Sequence, residues 1–214
     1  MSSILQKITS LLNPKAYTLK GIDKGHHHIT YRGVPCIKCP FDYVMYQMII
    51  NEVQPDLIIE IGTNHGGSAL YMADILDKIG GGKIHTIDID NRAYDLAKSH
   101  DRISFFHNGW EGYDLQQAKG CAKILVIEDG SHEYGSTLGA LKKFGPIVTN
   151  GSYLIVEDGI IDALGQSEAY NGGPVKAIKE YLASTSDYSI DYKWLNMFGE
   201  SATFNTLGFL KKNN

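Results

Sequence analysis

Three carboxylates and one imidazole stand at the ends of two apolar runs, and their types suit metal-assisted removal of a proton. Ile124-Leu125-Val126-Ile127-Glu128 leads into Asp129-Gly130-Ser131-His132, and Tyr153-Leu154-Ile155-Val156 leads into Glu157-Asp158-Gly159. Asp129, Glu157 and Asp158 are hard oxygen ligands of the kind magnesium or a similar divalent ion takes. His132, with an unperturbed pKa of about 6.5, suits a base near neutral pH. An acid before glycine is also an ordinary turn former. One such acid would mean little. Three at the ends of adjacent buried strands, with a histidine, point to a site.

A second group of residues suits an anionic or nucleoside-like ligand. Glu60-Ile61-Gly62-Thr63-Asn64-His65-Gly66-Gly67-Ser68 passes from an apolar run into a helical pattern. Glycines there allow a tight turn and close backbone approach, and a helix start offers free N–H groups. The spacing is neither Gly-x-Gly-x-x-Gly nor a P-loop, which argues against a dinucleotide or a nucleoside triphosphate. Asp88, closing Lys83 to Ile87, suits ribose hydroxyls better than a helix cap. Glu60 either meets the ligand or organises the turn. Asn108-Gly109-Trp110 follows the next run, and Trp110 either stacks on an adenine or packs into the core.

The elements that must position these residues follow from periodicity. Apolar runs at 57–61, 83–87, 103–106, 123–127 and 153–156 read as buried parallel strands. Helical spacing covers 42–53, 68–79, 91–99, 133–144 and a stretch marked by Val175, Ile178 and Leu182. Stretches 188–194 and 206–210 read as two closing strands with a glycine-containing link, Phe198-Gly199-Glu200. The expected architecture is α/β: a Rossmann-like, doubly wound, seven-stranded, mostly parallel sheet with an antiparallel edge hairpin and helices on both faces. Residues 1–40 read as an N-terminal helix (Ile4 to Leu12) and a lead-in segment, and 41–214 as the main domain. Asn171-Gly172-Gly173-Pro174 is a candidate lid.

The 214 residues are 43% hydrophobic and 21% charged, with a net charge of -4, which gives no basic field for nucleic acid. No apolar run approaches the roughly 20 residues of a membrane span. The first residues lack a secretory signal pattern, so a cytoplasmic location is expected. Three cysteines are too few for a disulfide framework. Cys36 and Cys39, downstream of His26, His27 and His28, form a lone Cys-x-x-Cys without the second pair of a structural zinc site. The histidine run reads as a loop at a site entrance. Tyr17, Tyr31, Tyr170, Trp194 and Phe198 are candidate aromatic walls for a sugar face, or core.

Together, the Glu60–Ser68 turn, Asp88, Asp129-Gly-Ser-His132 and Glu157-Asp158-Gly159 resemble class I S-adenosylmethionine-dependent methyltransferases. More narrowly, they resemble the group named after cephalosporin hydroxylase, which includes macrolide-sugar and rhamnosyl O-methyltransferases. Tyr31-Arg32-Gly33-Val34-Pro35, with Lys38, Pro40 and Asp42, is similar to that group's lead-in segment. The resemblance implies S-adenosyl-L-methionine held at Glu60, Gly62, Asn64, Ser68, Asp88, Ile89, Gly109, Trp110 and Asp129. It implies a magnesium ion on Asp129, Glu157 and Asp158, and His132 as general base. Trp110 departs from the small polar residue usual after the glycine.

The function expected is O-methyl transfer to a hydroxyl of a sugar, glycan or natural product. The partners expected are that small acceptor and a second copy of the chain, without nucleic acid or membrane. A non-haem-iron hydroxylase would want two histidines and one carboxylate, the reverse of this set. A non-catalytic cofactor-binding module is the other alternative, and it predicts that His132 is dispensable.

Overall fold

The computed structural model describes residues 18–199 and 202–214. The expected helix Ile4–Leu12, as well as Tyr17 and Glu200, lie outside the described residues.

The lead-in segment is more structured than its sequence suggests. Helix α1 (Leu19–His26) starts at Thr18, whose side chain accepts from the Gly21 N–H at 3.0 Å. His26 is therefore the last helical residue and His27 the cap, rather than loop residues. The extended stretch around Tyr31 is a two-residue-per-strand hairpin, β1 (Thr30–Tyr31) and β2 (Val34–Pro35). Its turn residues Arg32 (φ 51°) and Gly33 (φ 83°) both have positive φ, as a tight hairpin turn requires. Helix α2 (Pro40–Val53) begins on a proline and ends at Gln54, before Pro55.

From there, strands and helices alternate. They are β3 (Leu57–Ile61), α3 (Gly67–Ile79), β4 (Lys83–Ile87), α4 (Asp95–Lys98), β5 (Ile103–Phe106), α5 (Gly109–Gly112), β6 (Ile124–Glu128), α6 (Tyr134–Phe144), β7 (Tyr153–Val156), α7 (Gly173–Ser184), β8 (Tyr188–Ile190), α8 (Tyr192–Leu195) and β9 (Phe209–Lys212). The main sheet has seven strands in the order β5-β4-β3-β6-β7-β9-β8. β3 to β7 are parallel; β9 pairs antiparallel with both β7 and β8. The chain winds outward from β3 through β4 to β5, then returns to β6 on the other side of β3. Ligands bind at such a reversal, outside the carboxyl ends of the strands.

The core lies on both faces of this sheet, because side chains alternate along each strand. Leu57, Ile59, Ile61, Val126, Leu154 and Val156 pack with Leu141 and Phe144 of α6 and Ile178 of α7. Ile58, Leu125, Ile127, Tyr153 and Ile155 pack on the opposite face with Met45, Tyr46 and Ile49 of α2 and Met72 and Leu76 of α3. Central strands buried on both sides read as continuous apolar runs, which is why their sequence alone located them.

Three expectations change. The helix expected over 91–99 is only Asp95–Lys98, because Tyr94 is extended (φ -71°, ψ 150°) and its N–H is committed to the His65 carbonyl. The strand expected over 188–194 stops at Ile190. Asp191 turns the chain by accepting from the Lys193 N–H at 3.0 Å, and a helical turn follows. The last strand lies at Phe209–Lys212 rather than 206–210, since Leu207 adopts a positive φ of 59° that breaks extension.

Candidate active site

Backbone ladders bring four positions into one row at the carboxyl edge of the sheet. Asp88 N–H donates to the Phe106 carbonyl at 2.9 Å and Gly62 N–H to Ile87 at 2.8 Å. Asp129 N–H donates to Ile61 at 2.8 Å and Glu157 N–H to Glu128 at 2.9 Å. The Gly-rich turn therefore sits between Asp88 on one side and the acids on the other. A cleft of about 450 Å³ opens over the row, lined by Gly62, Asp88, Trp110, Asp129, His132 and Asp158 among others. That volume suits a small-molecule ligand.

On the Gly62 side, Asn64, Ile89 and Gly109 also line the cleft, as expected. The Asp88 carboxylate is not a helix cap. It accepts from the backbone N–H groups of Asn64 (2.9 Å), Ile89 (2.8 Å) and Asp90 (3.1 Å), tying two loops together at the mouth. Trp110 takes the packing role and also lines the cleft. It packs at the edge of the core over Gly139, donates to the Ser136 hydroxyl at 3.1 Å and still faces the cleft. Glu60 takes the turn-organising alternative, and Ser68, expected at the ligand, joins it away from the cleft lining. Both are buried behind the turn, where the Ser68 hydroxyl donates to Glu60 and Thr86 donates to its other oxygen at 2.6 Å. A fully buried carboxylate must be satisfied by such donors, and Glu60 spends its oxygens on shaping the turn.

On the acid side, one ligand atom each from Asp129, His132 and Asp158 lies within 4.8 Å of the others. His132 Nε2 faces Asp158 Oδ2 at 3.2 Å, while its Nδ1 is buried without a hydrogen-bond partner, so neither Ser131 nor Glu133 holds the ring. His132 lies in the turn before α6 rather than on the helix. Tyr170 meets the imidazole edge-on at 6.1 Å between centroids. The other candidate aromatic walls among the described residues lie elsewhere. Trp194 is core, Tyr31 bonds Asp74, and Phe198 packs on Phe41. Three non-glycine residues at this mouth hold positive φ: Asn64 (46°), His132 (60°) and Asp158 (55°).

Glu157 is placed differently from the other two acids. Its carboxylate is buried and receives Lys38 Nζ and the Tyr46 hydroxyl (2.7 Å), both on Oε1. Lys38 Nζ also donates to Asp129 Oδ2 at 2.9 Å. Asp129 and Glu157 thus share an ammonium while Asp129 and Asp158 stand by the imidazole, because the low-dielectric interior demands counter-charge. Lys38, Tyr46 and Asn205, which donates to Tyr46 at 3.2 Å, are site residues that sequence reasoning did not assign.

Cys36 and Cys39 are buried thiols, and burial pushes them up to about 11 and about 12. Cys39 faces the Ala202 carbonyl at 3.1 Å.

Burial raises Asp129, Glu157 and Asp158 above ordinary carboxylates, with mutual repulsion adding to it and Lys38 and His132 opposing it. Burial alone would lower His132 and Lys38, but the surrounding acids outweigh it and hold both above their ordinary values. Asp129 and Asp158 offer hard oxygens within 4.8 Å of each other beside His132, a set that suits a divalent cation. Glu157, expected with them, stands outside that group, and its Oε1 is taken by Lys38 and Tyr46.

Buried carboxylates also set a pH dependence. Burial lifts Glu60 and Glu128 to about 7 and Asp42 to about 8. The folded state therefore holds protons that the unfolded chain has released above pH ~4.5, so stability falls as pH rises toward 8. His132, also raised, has the same sign. The melting temperature of the metal-free protein is expected to be higher near pH 5 than near pH 8, and Glu128→Gln should flatten the slope. A melting temperature rising with pH over this range would contradict the assignment.

The model of the family described as rhamnosyl O-methyltransferase/CmcI matches residues 23–213. A rhamnosyl O-methyltransferase of Mycobacterium tuberculosis is 34% identical over 193 residues, covering 86% of this chain and 78% of that protein. Its counterpart in Mycobacterium leprae is 32% identical over 189 residues, covering 85% and 82%. Among solved structures, one of CmcI described as Mg-SAM superposes with a TM-score of 0.67 at 23% identity, over 88% of this chain and 78% of that one, a likeness of fold.

Proposed function

The chain belongs to the rhamnosyl O-methyltransferase/CmcI family, and from that premise we propose that it transfers a methyl group from S-adenosylmethionine to a sugar hydroxyl with the help of a divalent ion. The relatives' names favour a rhamnosyl acceptor. The observation that carries this reading is that the Gly62–Asp88 side and the Asp129–His132–Asp158 cluster open into one cleft. Residues 41–214 would form the donor-binding domain, with 1–40 as its lead-in.

The donor brings an activated methyl on a sulfonium, so the chain must supply placement and a deprotonated hydroxyl. Gly62, Asn64 and Gly109 offer backbone close to the ligand, Asp88 keeps lone pairs at the mouth for ribose hydroxyls, and Trp110 offers a flat apolar wall. Asp129, Glu157 and Asp158 would hold magnesium or a similar ion, which lowers the pKa of a bound hydroxyl. His132 takes the acceptor's proton as its oxygen forms the bond to the methyl carbon and the carbon–sulfur bond breaks. The proton would settle on Nε2, where Asp158 at 3.2 Å stabilises the imidazolium that results. Their positive-φ turns project both side chains toward the cleft rather than along the sheet.

Calorimetric titration with S-adenosylmethionine tests the proposal, with and without magnesium. A saturable heat is expected, together with magnesium-dependent methylation of a rhamnosyl acceptor. A folded sample that yields no heat with S-adenosylmethionine would overturn it.

A further inference from the structure

Lys38 has no place in the chemistry above, yet it is the most enclosed cation at the site. Its side chain is 2% exposed. Its Nζ bonds Asp129 Oδ2 and Glu157 Oε1 and lies 5.5 Å from the centre of the Tyr46 ring. Tyr46 donates to the same Glu157 oxygen and is itself held by Asn205. Lys38 comes from the lead-in segment between β2 and α2, while its partners directly follow β6 and β7.

We propose that Lys38 is a positioning residue and resident counter-ion, pinning one oxygen each of Asp129 and Glu157 and binding antagonistically with a divalent ion at the same acids. The proposal rests on the reading that Asp129, Glu157 and Asp158 hold that ion. Without a cation, these neighbouring buried acids would carry uncompensated charge. The ammonium supplies it from within the chain, so the site is assembled before any ion arrives. An ion joining the other oxygens is attracted by the acids and repelled by the ammonium across a low-dielectric gap. Lys38 therefore keeps the ion exchangeable while keeping its ligands in register. It acts through the carboxylates and lies behind the cleft, not on its wall.

Thermal unfolding of wild type, Lys38→Met and Lys38→Arg, each with chelator or with millimolar magnesium near pH 8, tests this. In Lys38→Met the metal-free melting temperature should fall. The rise on adding magnesium should exceed that of wild type by about 3–6 °C, the equivalent of about tenfold tighter binding. Lys38→Arg should retain the wild-type rise. Where Lys38→Met does not fold, Lys38→Gln provides the same comparison. A rise equal to or smaller than that of wild type overturns antagonism and leaves the ion site standing. No rise in any of the proteins overturns the ion site, and the proposal with it.

Discussion

Replacing His132 with alanine is expected to lower turnover by about 10²–10⁴-fold while leaving the affinity for S-adenosylmethionine unchanged. The imidazole faces Asp158 at 3.2 Å, in a cleft with no other histidine lining it among the described residues. Removing it should leave the donor side of the cleft intact, since Asp88 is held by the Asn64 and Ile89 N–H groups and His132 by Asp158. His132→Asn is the companion variant, because asparagine tolerates the positive φ of 60° at this position. Both variants should also lose the rising acid limb of the rate against pH, which requires the imidazole to shed its proton. Turnover within a few-fold of wild type would remove His132 from the mechanism and favour a module that only binds its cofactor.

The second large effect concerns the backbone. Gly62→Ala should destabilise the protein by about 3 kcal/mol or more, a fall of about 6 °C or more in melting temperature, and should abolish donor binding. Gly62 has φ +102°, and a Cβ there would lie 1.9 Å from the Asp129 carbonyl oxygen and 2.6 Å from its carbon. Neither atom belongs to a flexible side chain, so the ends of β3 and β6 must separate. Gly80→Ala is the control. It also has positive φ (+83°), but an added methyl meets nothing within 4 Å. That variant should lose only about 1 kcal/mol of backbone preference and keep donor binding. Equal losses at both positions would show that φ alone, not the close approach, dictates glycine at 62.

The parts of the fold legible in the sequence were those governed by local chemistry. Fully buried parallel strands write themselves as apolar runs, and acids at their ends are conspicuous because nothing in a strand interior calls for them. The glycine-rich turn was legible for the same reason. What escaped was long-range pairing. Lys38 reaches partners 91 and 119 residues away, and nothing beside it in the chain announces an ammonium headed for the interior. Tyr46 lies within the helical spacing of 42–53, and only the folded chain reveals its hydroxyl on Glu157. Glu60 was placed at the right turn, but its orientation depends on Thr86 from the neighbouring strand. The short α4 and the truncated β8 depart from the sequence periodicity because Tyr94 and Asp191 follow hydrogen bonds that it does not encode.

Asn64, His132 and Asp158 occupy a left-handed backbone conformation that glycine would adopt with less strain. At His132 and Asp158 the polypeptide carries a conformational cost of order 1 kcal/mol to present a functional group that glycine lacks. Durability and reactivity are therefore opposed there. Screening variants for heat resistance alone would reward their loss, and any effort to harden this scaffold must leave them untouched.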